Sequence, residues 1–175
     1  MTKLPSDLLR RLRAWKNYND LPDQSSETYN AFFDAVGELQ AAYSETDFQK
    51  GVAKLTDAQR RAGALILLTC AIPMDGLFIG VLVNQPEVMP HAVEAARTLG
   101  LSDGLRFLDA LAKATPKGLL QQKTSDARMT WAEENESPPE LEELEASELA
   151  EVGAAQMQLA AMKLVVTHAD EFFEA

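Results

Sequence analysis

The sequence predicts an all-α fold of about eight to ten helices, several of them short. Apolar residues recur at steps of three and four along most of the chain. Thr, Ser, Pro and Gly stand where helices start and stop, and the period-two alternation of a half-buried strand hardly occurs. One stretch, Ala62 to Val83, is almost wholly apolar and must be buried, because a buried Leu, Ile or Phe side chain contributes roughly 1.5–3 kcal/mol. It has the length of a membrane span, but Pro73, Asp75 and Gly76 sit near its middle, and a charge there costs a spanning helix roughly 2.5–3.5 kcal/mol. Two buried segments hinged at Pro73–Gly76 are the expectation. The 175 residues are read as one domain, 1–175, with a basic N-terminal helix over 1–17 and an acidic segment over 133–151.

Pro5 followed by Leu8, Leu9, Leu12 and Trp15 marks the first helix, with Lys3, Arg10, Arg11, Arg13 and Lys16 around it. A loop over 20–26 precedes a second stripe: Tyr29, Phe32, Phe33, Val36, Leu39 and Tyr43. Thr46-x-x-Gln49 and Thr56-x-x-Gln59 are capping boxes. In such a box the hydroxyl and the amide reciprocally satisfy N–H groups of the first turn. They predict a short helix near 47–54 and a longer one near 57–71. Leu77–Val83 reads as a helix rather than a strand, since no partner strand is visible elsewhere.

Pro86 opens a helix with the stripe Val88, Ala92, Ala95, Ala96 and Leu99, closed by Gly100. Ser102 starts the next, with Leu105, Leu108, Leu111 and Ala112 inward. Residues 114–130, built around Thr115-Pro116-Lys117-Gly118, read as a long basic surface connection. Ser137-Pro138-Pro139-Glu140 predicts a further capping box and a helix to about Glu145. A helix unbroken to 151 would bury Glu148, so a break is placed near Ala146, with Ser147 capping the last helix. That helix carries Val152, Ala155, Leu159, Met162, Val166, Ala169 and Phe173. The stripe is to be buried against the core or a second copy of the chain, so a homodimer is one expectation.

Charge is unevenly distributed. The first sixteen residues are net +4 and residues 129–175 net −11, equal to the total for the chain. Such acidity argues against direct nucleic-acid binding and against an anionic membrane surface. One cysteine, Cys70, lies in the apolar run and reads as a small core hydrophobe. No signal peptide is expected, so the chain is read as cytoplasmic.

Catalytic signatures are absent: no Gly-rich phosphate loop, no His-Glu pair at metal spacing, no nucleophile elbow. His91 and His168 lie on different predicted helices and read as surface or helix-end residues, so neither a metal nor a cofactor is expected. A non-enzymatic protein is the expectation. One other site weighed is a small-molecule or catalytic pocket at the hinge, with Asp75 as its polar group and Met74 and Phe78 as walls.

The conspicuous feature is an acidic run. Glu133, Glu134, Glu136, Glu140, Glu142, Glu143, Glu145, Glu148 and Glu151 are nine carboxylates in nineteen residues with no base among them. The run reads either as a solvated, partly disordered face or as a surface that another macromolecule recognises. Duplex DNA presents one negative charge per ~1.7 Å and a helix advances ~1.5 Å per residue, so glutamates at this density approximate a phosphate ladder. Leu141, Leu144 and Leu149 are the residues expected to hold the array rigid. Arg10, Arg11, Arg13 and Lys16 are expected to neutralise part of it rather than seek phosphate.

Several stretches share a pattern: Leu55-Thr-Asp-Ala-Gln-Arg60, Met74-Asp75-Gly76-Leu77, Phe78 to Asn84, His91-Ala-Val-Glu-Ala-Ala-Arg-Thr-Leu99-Gly100, Leu141-Glu-Glu-Leu144 and His168-Ala-Asp-Glu-Phe-Phe173. The pattern resembles an all-helical bacterial domain family of unknown function, one member of which is an acidic dimeric mimic of double-stranded DNA. Asp75 stands where the first glycine of the family's turn is usual, and Leu77 where Phe is usual. The resemblance implies an all-helical fold, a motif at Asp75, Gly76 and Asn84, and DNA mimicry as one form the acidic surface can take. The expected partner is the basic surface of a DNA-binding or regulatory protein. A toxin neutralised in the manner of an immunity protein is the alternative.

Overall fold

The computed structural model describes residues 48–174, together with Thr2, Lys3, Arg10 and Leu39. Arg10 is helical and exposed, and Leu39 is helical and buried. The other residues of the first two expected helices, including Arg11, Arg13 and Lys16, lie outside the described residues. So does the Thr46 cap.

The chain is all-α, as its periodicity implies. The helices are α1 (Phe48–Val52), α2 (Asp57–Asp75), α3 (Val88–Thr98), α4 (Ser102–Ala114), α5 (Lys117–Leu120), α6 (Ser125–Glu134), α7 (Pro139–Glu145), α8 (Glu148–Thr167) and α9 (Ala169–Phe172), with a π-helical segment, Gly76–Val83, following α2. Among the described residues the extended pairing is one parallel bridge of two residues: β1 (Thr2–Lys3) beside β2 (Phe173–Glu174). The residues group into two compact units, Met1–Ile66 with Gln158–Ala175, and Leu67–Met157.

In the first unit the Thr56 box forms as expected. The Thr56 N–H donates to Gln59 Oε1 at 3.0 Å and the Gln59 N–H to Thr56 Oγ1 at 3.3 Å. The same two side chains reach α9: the Thr56 hydroxyl donates to the Glu171 carboxylate, and the Gln59 amide to the Glu171 carbonyl at 2.5 Å. Leu65, Ile66, Met162, Val165, Phe172 and Phe173 are buried. Phe173, expected on a helix, lies in β2.

The second unit is built on the apolar run. α2 continues through Pro73 to Asp75, four residues beyond the expected end; a proline two residues before the end disturbs little, because little helix follows it. The chain then turns at Gly76, whose φ of +74° is left-handed. A Cβ on Gly80 would lie 2.6 Å from the Ala71 carbonyl oxygen. In a straight helix, positions nine apart are separated by ~13.5 Å along the axis, so the run doubles back on itself. The reversed limb is wound as a π-helix, its last turn closed by the Asn84 N–H on the Ile79 carbonyl at 3.0 Å. By length and composition Asp57–Val83 and Glu148–Thr167 each pass as membrane spans, but 61% of an apolar 18-residue window in the first is buried within the protein, and its reversal divides it into limbs of 19 and 8 residues.

α3 buries Val88, Ala92, Ala95 and Ala96 and ends at Gly100 (φ +68°), with the Leu101 N–H on the Ala96 carbonyl at 2.9 Å. This six-residue loop is the closure that a glycine after the helix permits. α4 buries Phe107, Leu108 and Leu111, while Ala112, expected inward, is exposed.

The expected surface connection over 114–130 is largely helical, as α5 and the start of α6. Thr124 caps α6 by accepting from the Ala127 N–H at 3.2 Å, and Leu119 and Arg128 are buried. Trp131 lies edge-on to Phe78, with centroids 6.4 Å apart, and against Gly118. α7 begins at Pro139 without the expected Ser137 box: its N-cap is Pro138, which has no side-chain acceptor to offer.

The break before α8 falls at Ala146–Ser147, and Ser147 Oγ accepts from the Ala150 N–H at 3.2 Å. The inward face of α8 begins Ala150, Gly153, Met157, leaving Val152 and Ala155 exposed. The expected stripe is therefore off by one residue, or ~100° of rotation, at its start, whereas Met162, Val166 and Ala169 farther along are buried as expected. A Cβ on Gly153 would lie 2.7 Å from the Phe107 Cβ, so a close approach of α8 to α4 is made by a residue that hydrophobicity does not count.

Gly76→Ala is expected to cost about 2 kcal/mol. A Cβ in the left-handed region costs ~1–2 kcal/mol by itself, and here it would also stand 3.0 Å from a Glu145 carboxylate oxygen. Gly100→Ala, at nearly the same φ with nothing within 4 Å, should cost only the backbone part, about 1 kcal/mol. Urea denaturation of the two variants checks the difference; equal losses would contradict the assigned crowding.

Candidate functional site

The nine glutamates of the acidic run are carried by three successive helices and one linker. Glu133 and Glu134 end α6, and Glu136 lies in the linker. Glu140, Glu142, Glu143 and Glu145 are on α7, and Glu148 and Glu151 occupy the first turn of α8. All nine are exposed. The local cause is visible in α7, where Leu141 and Leu144 are buried. Their i, i+3 spacing fixes the inward face and turns the four carboxylates outward. The break at Ser147 keeps Glu148 off that inward face.

Helix electrostatics account for part of the pattern. Glu140 and Glu142 in the first turn of α7, and Glu148 and Glu151 in that of α8, face the positive ends of their helices, which favours each by ~0.3–1 kcal/mol. Glu133 and Glu134 stand at the negative end of α6, where the same effect opposes them. The i, i+3 pairs Glu140–Glu143 and Glu142–Glu145 repel by a few tenths of a kcal/mol each, about 0.2–0.5.

The ion pairs among the described residues are Arg60–Asp57, Arg106–Asp103 at 3.4 Å, Lys113–Asp109 at 2.6 Å and Arg128–Glu87 at 3.1 Å, and His168 is hydrogen-bonded to Glu171 at 2.9 Å. None uses a carboxylate of the acidic run.

Glu145 differs from the other eight. Its Oε2 accepts from the Leu77 N–H at 2.8 Å and lies over Gly76, capping the π-helical segment at its start. The other end of that segment is held by a residue for which the sequence reading had no role. Buried Arg128 donates through Nε to the Val83 carbonyl at 2.8 Å and through Nη2 to Glu87 at 3.1 Å. A third such group is Gln156, whose Oε1 accepts from the Asp103 and Gly104 N–H groups at 3.0 and 2.9 Å. α4 starts after Leu101, which has no capping side chain, so a partner from elsewhere was required. The sequence reading had Ser102 start this helix; the N-cap is Leu101, and the acceptor comes from Gln156, 53 residues from Asp103.

Among the described residues, three shallow depressions open beside the acidic run, one of them, of about 390 Å³, lined by Glu142, Glu145 and Ala146; two border α4. One, of about 500 Å³, is lined by Ala110, Lys113 and Ala114 of α4 with Glu140, Glu143, Leu144, Ser147 and Leu149. The other, of about 340 Å³, is lined by Asp103, Arg106, Glu148, Leu149 and Val152.

At the hinge, Asp75 and Asn84 are exposed and flank the π-helical segment, and Gly76 is half-buried. Asp75 makes no side-chain cap bond, and Met74, one expected wall of a pocket there, is 79% exposed. Among the described residues no group of three or more His, Cys, Asp or Glu is placed to hold a metal ion. His168 sits between α8 and α9, its Nδ1 against Glu171. Burial pushes the Cys70 thiol up from its ordinary pKa, which keeps the reactive thiolate scarce at neutral pH.

Comparison of the chain with protein-family models, curated proteins and solved structures finds no match.

Two outcomes follow from this geometry. Glu145→Ala is expected to cost about 1 kcal/mol, the usual loss of a helix cap, whereas Glu140→Ala, Glu142→Ala and Glu143→Ala should each stay within about 0.5 kcal/mol; thermal denaturation of the four variants separates them. With its pKa raised, Cys70 should react with a disulfide reagent more slowly in the native protein than in urea, and faster as the pH is raised. Equal native and unfolded rates would contradict the burial.

Proposed function

We propose that the chain is a non-enzymatic, cytoplasmic protein-interaction module whose acidic face binds a basic surface on a DNA-binding or regulatory protein. The observation that supports this most is the state of the nine glutamates: all exposed, four of them on α7 anchored by buried Leu141 and Leu144, and without an ion-pair partner among the described residues. A flexible acidic tail attracts basic proteins without selecting among them; carboxylates spaced by a packed helix present a pattern.

On α7, four carboxylates fall within seven residues, or one per ~2.6 Å of helix axis, between the ~1.7 Å per charge of both strands of duplex DNA and the ~3.4 Å of one. That density supports mimicry of DNA as the form of recognition, in line with the family resemblance. The same charge repels nucleic acid itself. Glu133 and Glu134 add to the reading, since neither their helix nor an ion pair rewards their position.

Association through such a face weakens with salt, because the screening length falls from ~10 Å at 0.1 M to ~3 Å at 1 M. The test is capture of partners by the wild type and by a variant with Glu140, Glu142, Glu143, Glu148 and Glu151 changed to Gln. Glu145 is left in place because it caps the π-helical segment. The expected result is a basic partner retained by the wild type at low salt and lost both at high salt and with the variant. Identical partners for the two proteins would refute the proposal, and a single captured toxin would redirect it to the immunity-type role.

A further inference from the structure

The acidic face is not uniformly polar. Half-buried Leu149 lines the two depressions that border α4, and Val152, one turn along α8, is 41% exposed. A single exposed apolar side chain is ordinary on a protein surface, but one lining a concave depression between carboxylates is what a binding groove presents. Such side chains, rimmed by charged groups of which the two bases, Lys113 and Arg106, are each paired with an aspartate of α4, match the apolar centre and polar rim of a protein interface.

We infer that the depression between α4, α7 and α8 docks a basic segment of the partner through one apolar anchor side chain. This rests on the proposed acidic-face function and adds to it the chemistry of the partner. The walls are Ala110 and Ala114 of α4, Leu144 of α7 and Leu149 of α8, and Glu140 and Glu143 stand at the rim. The small alanines open the space, and its volume of about 500 Å³ lies within the ~300–1,000 Å³ usual for binding pockets.

Charge complementarity sets the occupant. Lys113, the base beside the depression, is held by Asp109 at 2.6 Å, whereas Glu140 and Glu143 have no ion pair among the described residues. A segment with Lys or Arg flanking a Leu or Phe satisfies walls and rim together. A polycation lacking the anchor satisfies the rim alone, and an acidic or nucleic-acid ligand satisfies neither. An anchored segment should therefore bind more tightly than an unanchored one of equal charge, by about tenfold or more for one buried side chain.

The experiment is fluorescence anisotropy on the full chain with two labelled peptides of equal length and positive charge. One carries leucines among its lysines; the other carries serines in their place. The leucine peptide is expected to bind at least about tenfold more tightly to the wild type. Leu149→Ser should abolish that preference without changing the affinity for the serine peptide or the far-ultraviolet circular dichroism. Ala114→Trp, which fills the depression from the opposite wall, should abolish it too. Equal affinity of both peptides for the wild type, or a preference that survives both substitutions, would overturn the docking site. Salt-sensitive binding of the serine peptide would in that case leave the acidic face standing as a charge-only surface, whereas failure of both peptides to bind would remove both readings.

Discussion

The reversal of the apolar run in the second unit is tied to the acidic segment by one hydrogen bond, from the Leu77 N–H to the Glu145 carboxylate at 2.8 Å. The apolar run must be buried, and it is buried by reversing at Gly76. A reversal starts a new helical segment, and the first N–H groups of any helix lack partners within it. Left unpaired in an apolar setting, such a donor costs roughly 1–3 kcal/mol. Glu145 supplies a charged acceptor, and the absence of a Cβ on Gly76 leaves the carboxylate room to sit there. At the far end of the same segment the Arg128 guanidinium takes the Val83 carbonyl. A carboxylate at the start and a guanidinium at the end match the polarity of the segment's peptide dipoles. Residues 68 and 45 positions away in sequence thus complete eight residues that could not satisfy their own termini.

The same bond couples the core to the acidic face. A seven-residue helix is too short to persist alone in water, and α7 also carries like charges one turn apart. It is held by burial of Leu141 and Leu144 and by Glu145. One residue of the acidic run is therefore committed to structure, and its position orients the others. This division explains why charge density by itself does not describe the run: eight of the nine glutamates face solvent without such a bond, and the ninth fixes where they point.

Where a signal lay within a turn or two of its effect, the sequence was informative. The Thr56–Gln59 box, the closure at Gly100 and the start of α8 at Ser147 are each made by groups three to five residues apart, and each formed where it was expected. Groups brought together by tertiary packing were missed. Arg128 reads as one more surface base in a basic stretch, since nothing nearby shows that the Val83 carbonyl needs it. The helices over 117–134 were passed over because Pro116 and Gly118 look like loop residues, although Gly118 is the seat for Trp131. The inward face of the first turns of α8 was misjudged because Gly153 carries no hydrophobic weight, yet its lack of a side chain brings α8 against Phe107; farther along, Met162 and Val166 are buried as expected. The acidic run was evident from composition, but its attachment to the core through Glu145 was not, because one glutamate among nine bears no local mark of its role.

The central claim is that the carboxylates of α7 and the start of α8 are held in a fixed array by the core beneath them. Amide hydrogen exchange over residues 139–151 tests it most directly. The account predicts that the N–H groups bonded within α7 and at the start of α8, together with that of Leu77, exchange far more slowly than an unstructured peptide of the same sequence, with the protection of Leu77 lost when Glu145 is removed. Exchange across 139–151 at the unstructured rate would contradict it.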